Sequence, residues 1–378
     1  MKILVVTNDF PPRVGGINYY VDQIMRRFPS GDVTILAPSW PGGEAFDSTY
    51  PHHVVRVTSR VMLPTPAVRR RLADLVQRER ADVVLFGAAV PLARLGPPVQ
   101  HATGVPFGMF THGVEVAVTR VPVARRSFAQ LARQALLVTA VSEWSREQLD
   151  KAWHPDAPIE LLPSGIDDGA FHPGISDRGI RERHDLGERP VIACVSRLVP
   201  RKGIDQVVRA IPQLLPEFPD LACLVVGGGH DRWRLGLLAR RHGVAEHVVF
   251  TGRVPYEDLP AHFRAGNVFA APCRSRFFGL EAEALGAVYL QAAAVGRPAI
   301  AGRSGGTNDA VRHGETGLVV DGRDVAAVAG AILELLRDPG AAHRLGAAGA
   351  AWVHRDLTWS VIAERLRQLL EIRLAAAT

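Results

Sequence analysis

An arginine and a lysine five residues apart across a turn can grip a diphosphate between them, the arginine as a planar fork of donors and the lysine as a point charge. Arg197 and Lys202 stand so in Ser196-Arg197-Leu198-Val199-Pro200-Arg201-Lys202-Gly203. Lys202 is one of only three lysines, with Lys2 and Lys151, among 44 Lys plus Arg. A lysine that persists in so arginine-biased a chain speaks against a generic surface cation. Glu283 and Gln291 follow in a stretch that reads as one helix. Eight residues are slightly over two turns, so the two share a face about 12 Å apart along the axis. They either hold two hydroxylated parts of an extended ligand or are solvated helix polars. Gly15-Gly16 and Ser304-Gly305-Gly306 each precede a helical pattern. Such starts present free amides to a phosphate, or are ordinary tight turns. His112, in Thr111-His112-Gly113, stands at a strand end as a hydrogen-bond donor, a proton shuttle or a structural ring. No Asp-x-Asp pair or histidine cluster falls at a strand end, so cations rather than a divalent metal are expected to hold any diphosphate.

The elements that must position these residues alternate. Short apolar runs at Ile3 to Thr7, Val33 to Ala37, Val83 to Phe86, Phe107 to Thr111 and Leu136 to Val141 are separated by helical stretches such as Asn18 to Phe28 and Val68 to Glu79. After the Pro/Gly-rich segment Leu162 to Gly174 a second alternation begins, with strands at Val191 to Val195, Ala222 to Val226, His247 to Thr251, Val268 to Ala271 and Pro298 to Ala301. Helices at Ile204 to Leu215 and Ala284 to Ala294 lie between them, and helical periods close the chain. The fold class is therefore α/β, two doubly wound Rossmann-like sheets with their strand carboxyl ends facing a cleft. The expected division is 1–168, with 357–378 packing back as a C-terminal helix, and 169–356.

At 378 residues the chain exceeds what one core usually serves. Its first strand is too short for a signal peptide, and no apolar run reaches the length of a membrane span. Cys194, Cys223 and Cys273 are odd in number and far apart, fitting neither a disulfide framework nor a metal site. A cytoplasmic setting is expected. The net charge of +6 favours anionic partners. The basic helix around Arg69-Arg70-Arg71 and the stretch Arg120 to Arg133 either rest on an anionic membrane or form a solvated basic face.

Together these motifs resemble the GT-B glycosyltransferases of family 4, and within them the actinobacterial mannosyltransferases of phosphatidylinositol mannosides. The likeness runs from Val6-Thr7-Asn8-Asp9-Phe10-Pro11-Pro12-Arg13-Val14-Gly15-Gly16-Ile17 through Val61 to Pro66, Phe86 to Ala89, Thr111-His112-Gly113 and Leu162 to Gly165. It continues in Ser196 to Gly203 and Gly286-Ala287-Val288-Tyr289-Leu290. The resemblance implies a retaining, metal-independent hexosyl transfer from a nucleotide diphosphate sugar, GDP-mannose favoured, to a hydroxyl of a phosphatidylinositol mannoside-type lipid. It implies no cofactor, no nucleic-acid partner, and peripheral contact with the inner face of the plasma membrane. Arg197 and Lys202 would bind the diphosphate, Glu283 a sugar hydroxyl, Gln291 the ribose, and Arg253-Val254 the base. Gly15, Gly16, Gly279 and Ser304 to Gly306 would line the donor. Asp9, His112 and Arg69 would stand on the acceptor side. The sequence departs from the family pattern at three places: Gln291 replaces a glutamate, Phe277-Phe278 replace glycines, and Val114 replaces a polar residue. A soluble natural-product acceptor with another donor, and a non-catalytic sugar-nucleotide binder, stay open.

Overall fold

Residues 1–153 and 157–377 are described by a computed structural model. Strands flanked by helices on both sheet faces need apolar side chains at nearly every position, and the short Val/Ile/Leu runs supply them. In the first unit β1 (Ile3–Val6), β2 (Val33–Pro38), β3 (His53–Val57), β4 (Val83–Phe86), β5 (Phe107–Phe110), β6 (Leu137–Ala140) and β7 (Ile159–Leu161) form one parallel sheet in the order β3-β2-β1-β4-β5-β6-β7. In the second, β8 (Val191–Val195), β9 (Ala222–Val226), β10 (Val248–Gly252), β11 (Val268–Ala271), β12 (Ala299–Gly302) and β13 (Gly317–Val320) form a parallel sheet in the order β10-β9-β8-β11-β12-β13. Both sheets are doubly wound, as expected. Strand order reverses between β1 and β4 and between β8 and β11, the places where such sheets bind ligands.

The chain divides into Met1–Gly165 with Trp359–Thr378, and Ile166–Thr358. The closing helix Trp359–Ala377 returns to the first unit. Trp359 is buried there with its ring edge-on to Tyr19 and Tyr20, at 5.8 and 5.6 Å. A Cβ at Gly165 would lie 2.6 Å from the Trp359 ring, so only glycine lets the chain leave the unit beneath it. At the helix's far end Arg373 pairs with Glu160 at 2.6 Å.

Strands β3, β7 and β13 and the helix Pro339–Asp356 are additions to the sequence reading. β3 and β7 are sheet-edge strands carrying His53, Arg56 and Glu160, so they lack a continuous apolar run. The helix expected from Ala284 begins at Ala287 instead.

Candidate active site

The site of the second unit is built from the loops leaving β8, β11 and β12. After the wholly buried β8, residues Pro200–Lys202 make a single 3₁₀ turn ended by Gly203 at φ 75°. A Cβ on Gly203 would stand 1.9 Å from the Pro272 carbonyl oxygen. Glycine therefore permits both the left-handed turn and the contact that brings the β8 and β11 loops together. Across that contact Lys202 Nζ donates to Glu283 Oε2 at 2.7 Å and Arg201 Nη1 to the same oxygen at 2.8 Å. The Cys273 thiol approaches this oxygen at 3.7 Å. The side chains of Lys202 and Glu283 are only 7% and 11% exposed.

Burial alone would raise the Glu283 carboxyl, but Lys202 and Arg201 outweigh it and hold the group below the usual glutamate range. It is an anion at neutral pH. Burial pushes the Cys273 thiol up to about 11, so it stays protonated beside that anion. Arg201 also lies 3.9 Å from Glu281, which pairs with Arg276 at 3.2 Å. Arg274 braces the turn from behind. Its amide donates to the Arg201 carbonyl at 2.9 Å, and its guanidinium meets Asp205 on the next helix at 2.8 Å.

Several expectations take a different form. Glu283 and Gln291 do not share a helix face, because Gly286 takes φ 90° and the helix starts only at Ala287. Glu283 sits in the preceding loop, while Gln291 is a half-buried side chain on the helix. The helix after Ser304-Gly305-Gly306 has four residues, Thr307–Ala310. Its amides are partly taken: Ser304 N donates to Thr307 Oγ1 at 3.1 Å, and Gly306 N to the Glu283 carbonyl at 2.9 Å. Gly305, at φ 56°, would bring a Cβ within 2.1 Å of that carbonyl. These three residues hold the Glu283 backbone rather than open a phosphate-binding helix.

Arg197 is exposed and joins no ion pair among the described residues. Arg201, which the reading of the motif passed over, is the arginine on Glu283. A one-turn 3₁₀ segment turns residues 201 and 202 to the same carboxylate, and only its Pro at the first position hinted at it. Arg253 follows β10, with its side chain against Gly228. Gly279 ends a left-handed turn with Phe277 and Phe278.

In the first unit the candidates gather at the carboxyl ends of β1, β4 and β5. His112 Nε2 stands 2.8 Å from the Gly87 carbonyl. A carbonyl only accepts, so Nε2 carries a proton and Nδ1 is the ring nitrogen not committed to it. The ring is fixed further by the Tyr20 edge at 5.0 Å, and the His112 amide donates to Glu115 at 2.9 Å. Whichever of the expected donor, proton-shuttle or structural roles His112 takes, the Gly87 contact engages Nε2 and leaves Nδ1 as the ring nitrogen free to meet a ligand. The helix Gly16–Met25 has no side-chain cap, and Asp9 lies 3.9 Å from Arg13. Arg69 and Arg70 are exposed on the helix Pro66–Glu79. In the helix Pro122–Gln134 the apolar side is committed to the core through Phe128 and Leu131, while Val121 and Val123 face outward beside Arg125 and Arg126.

Two doubly wound units, one carrying a lysine and an arginine on a buried carboxylate where its strand order reverses, define a two-domain α/β protein with a charged cluster at the place such sheets bind ligands. Residues 14–169 match the family described as Glycosyltransferase Family 4, and residues 177–352 that described as Glycosyl transferases group 1. The chain is 44% identical, over 99% of both chains, to the GDP-mannose-dependent alpha-(1-6)-phosphatidylinositol monomannoside mannosyltransferase of Mycolicibacterium smegmatis. It is 38% identical, over 98% of both, to the GDP-mannose-dependent monoacylated alpha-(1-6)-phosphatidylinositol monomannoside mannosyltransferase of Corynebacterium glutamicum. The fold is that of HepE from Anabaena in complex with UDP, with a TM-score of 0.84, 18% identity and coverage of 98% of this chain and 100% of that one. It is also that of the sucrose-phosphate synthase from Thermosynechococcus elongatus, with a TM-score of 0.80, 22% identity and full coverage of both. The chain belongs to the family 4 glycosyltransferases and has the GT-B fold. No helix among its described residues is long and apolar enough to cross a membrane.

Proposed function

We propose that this glycosyltransferase moves mannose from GDP-mannose to a hydroxyl of a phosphatidylinositol mannoside, with retention of configuration and without a metal. The observation that carries the reading is the Glu283 carboxylate clamped by Lys202 and Arg201, in a chain so similar to mannosyltransferases of that donor and lipid. The donor diphosphate lies against Lys202, Arg201 and the exposed Arg197, whose cations stabilise charge developing on the leaving group. Preorganised electrostatics of this kind is commonly the largest catalytic term. In this reading the cations, rather than a divalent metal, carry the charge of the diphosphate.

Glu283 Oε2 already has its donors, and Oε1 accepts from a sugar hydroxyl. A carboxylate held this low by two cations is a weak nucleophile, which supports attack from the face of the departing phosphate, with that phosphate as base. Gln291 faces the ribose, the Arg253-Val254 backbone the base, Gly279 the sugar, and the uncapped helix start at Gly15-Gly16 the phosphates. His112 Nδ1 accepts from a hydroxyl, with Asp9 and Arg69 on the acceptor side. The arginines of Pro66–Glu79 and Pro122–Gln134, with the exposed Val121 and Val123, rest on an anionic lipid surface at the inner face of the membrane.

The test is transfer from labelled GDP-mannose to phosphatidylinositol monomannoside in vesicles, against UDP-glucose as donor, with and without EDTA. The product anomer is read by NMR. Transfer that prefers the UDP-sugar, fails with the lipid, inverts the anomer, or requires added manganese overturns the corresponding part of the reading.

A further inference from the structure

Asp205 is buried, with its side chain 6% exposed, yet no step of the proposed transfer uses it. It lies in the first turn of the helix Ile204–Leu214, two residues after the left-handed Gly203 that closes the cationic turn. Its Oδ2 meets guanidiniums from two other elements. Arg274, in the loop leaving β11, donates from Nη2 at 2.8 Å, and Arg234 Nη1, on the helix Arg232–Arg241, stands at 3.6 Å.

Each arginine leads to one end of the stretch that carries the cations. The Arg274 amide donates to the Arg201 carbonyl at 2.9 Å. Arg234 grips Asp231 through two bonds of 2.6 and 2.7 Å, and the Asp231 amide donates to the Leu198 carbonyl at 3.1 Å. The Leu198 amide in turn donates to the Gly228 carbonyl at 2.9 Å. Leu198 follows Arg197, and Arg201 precedes Lys202. One carboxylate therefore ties both ends of the stretch 197–202 to the loops leaving β9 and β11.

Stability does not account for this arrangement. A buried ion pair returns in attraction little more than the desolvation it costs. Asp205 Oδ1 and Arg274 Nη1 are moreover buried with no hydrogen-bond partner among the described residues. A carboxylate suits the positive end of its own helix, but that needs no arginine from the β11 loop. What the network fixes is where the two ends of the cationic stretch stand, and cations fixed in advance of the ligand stabilise its charge best.

We infer that Asp205 is the positioning residue of the diphosphate site, holding Arg197 and Arg201 where both meet one donor diphosphate. This role rests on the diphosphate placement proposed above. Asp205 acts through Arg274 on Arg201, and through Arg234 and Asp231 on the residue next to Arg197.

Calorimetry of GDP against guanosine tests it, because the two ligands differ only by the diphosphate. In Asp205→Asn the advantage of GDP over guanosine should fall about tenfold, the worth of one charge-assisted hydrogen bond, while guanosine itself stays within about twofold. A general structural defect would instead weaken both ligands together. Arg274→Gln should lower the advantage in the same way, and Arg274→Lys, which keeps a cation on Asp205, should retain most of it. With Arg201→Ala already present, Asp205→Asn should cost less than it does alone, since part of its route is gone. An unchanged advantage in Asp205→Asn, or a loss in Arg274→Lys as large as in Arg274→Gln, overturns the role. Should Asp205→Asn not fold, the two Arg274 variants decide by the same ratio. If wild type binds GDP no tighter than guanosine, the proposed diphosphate placement falls as well; if wild type favours GDP and the variants keep that preference, only the role of Asp205 falls.

Discussion

Replacing Glu283 by glutamine keeps the side-chain shape and removes the anion that two cations share. Lys202, 7% exposed, and Arg201, 15% exposed, would then lose their common partner inside the protein. Breaking a buried ion pair from one side typically costs about 3 to 5 kcal/mol, because the remaining charge is left uncompensated. Lys202→Met perturbs less, since Glu283 keeps Arg201; the loss of one charge-assisted hydrogen bond sets its cost at about 1.5 to 3 kcal/mol. The expected order of stability is therefore wild type, Lys202→Met, Glu283→Gln. Hydrogen exchange of the β8 and β11 amides reads the second unit separately from the first. The difference between wild type and Glu283→Gln should also depend on pH. The carboxyl is lowered in the folded chain, so its stabilisation is fully present above the unfolded value and is lost as pH falls through the folded one. The gap should be flat from pH 8 to about 5 and close below about 4.5. A Glu283→Gln protein as stable as wild type at pH 7, or a gap that widens on acidification, would refute the clamp as described.

Three further outcomes are expected. Lys202→Ala and Arg201→Ala should each lose about 2 to 4 kcal/mol of transition-state stabilisation in kcat/KM, and Arg197→Ala less, as measured by steady-state transfer. Gln291→Glu should tighten a ribonucleotide donor and widen its advantage over the 2′-deoxy analogue in calorimetry, because a carboxylate accepts stronger hydrogen bonds than an amide. Gly305→Ala should cost activity more than a surface alanine would. Its Cβ would meet the Glu283 carbonyl at 2.1 Å with φ at 56°, so a folded variant with wild-type kcat argues against Ser304 to Gly306 as the support of that carboxylate.

The fold was legible because each central strand is a short apolar run ended by glycine, proline or a polar residue, as β1, β8 and β11 are. The edges were not, because β3 mixes histidine and arginine into a half-exposed strand. Within the site, Lys202 and Glu283 could be named from residue type and place. Their contact could not, since it depends on Gly203 fitting against Pro272 across residues far apart in sequence. The helix expected from Ala284 failed for a local reason: Glu-Ala-Leu composition is helical, but a left-handed Gly286 delays the start. Arg201 was hidden by its own neighbour, because spacing alone cannot say which of two adjacent cations turns inward.

The return of the last helix to the first unit sets an order on synthesis. The second unit is one continuous segment, and its ends meet at a bridge between Ile166 and Thr358. A ribosome can deliver that segment whole and let it fold as it emerges. The first unit begins earlier but must wait, with the place of Trp359 beside Tyr19, Tyr20 and Gly165 unfilled, until the final helix has been made. The unit begun first is completed second, and a nascent chain stalled before Trp359 would carry a complete second unit together with a first unit still open to proteases and chaperones.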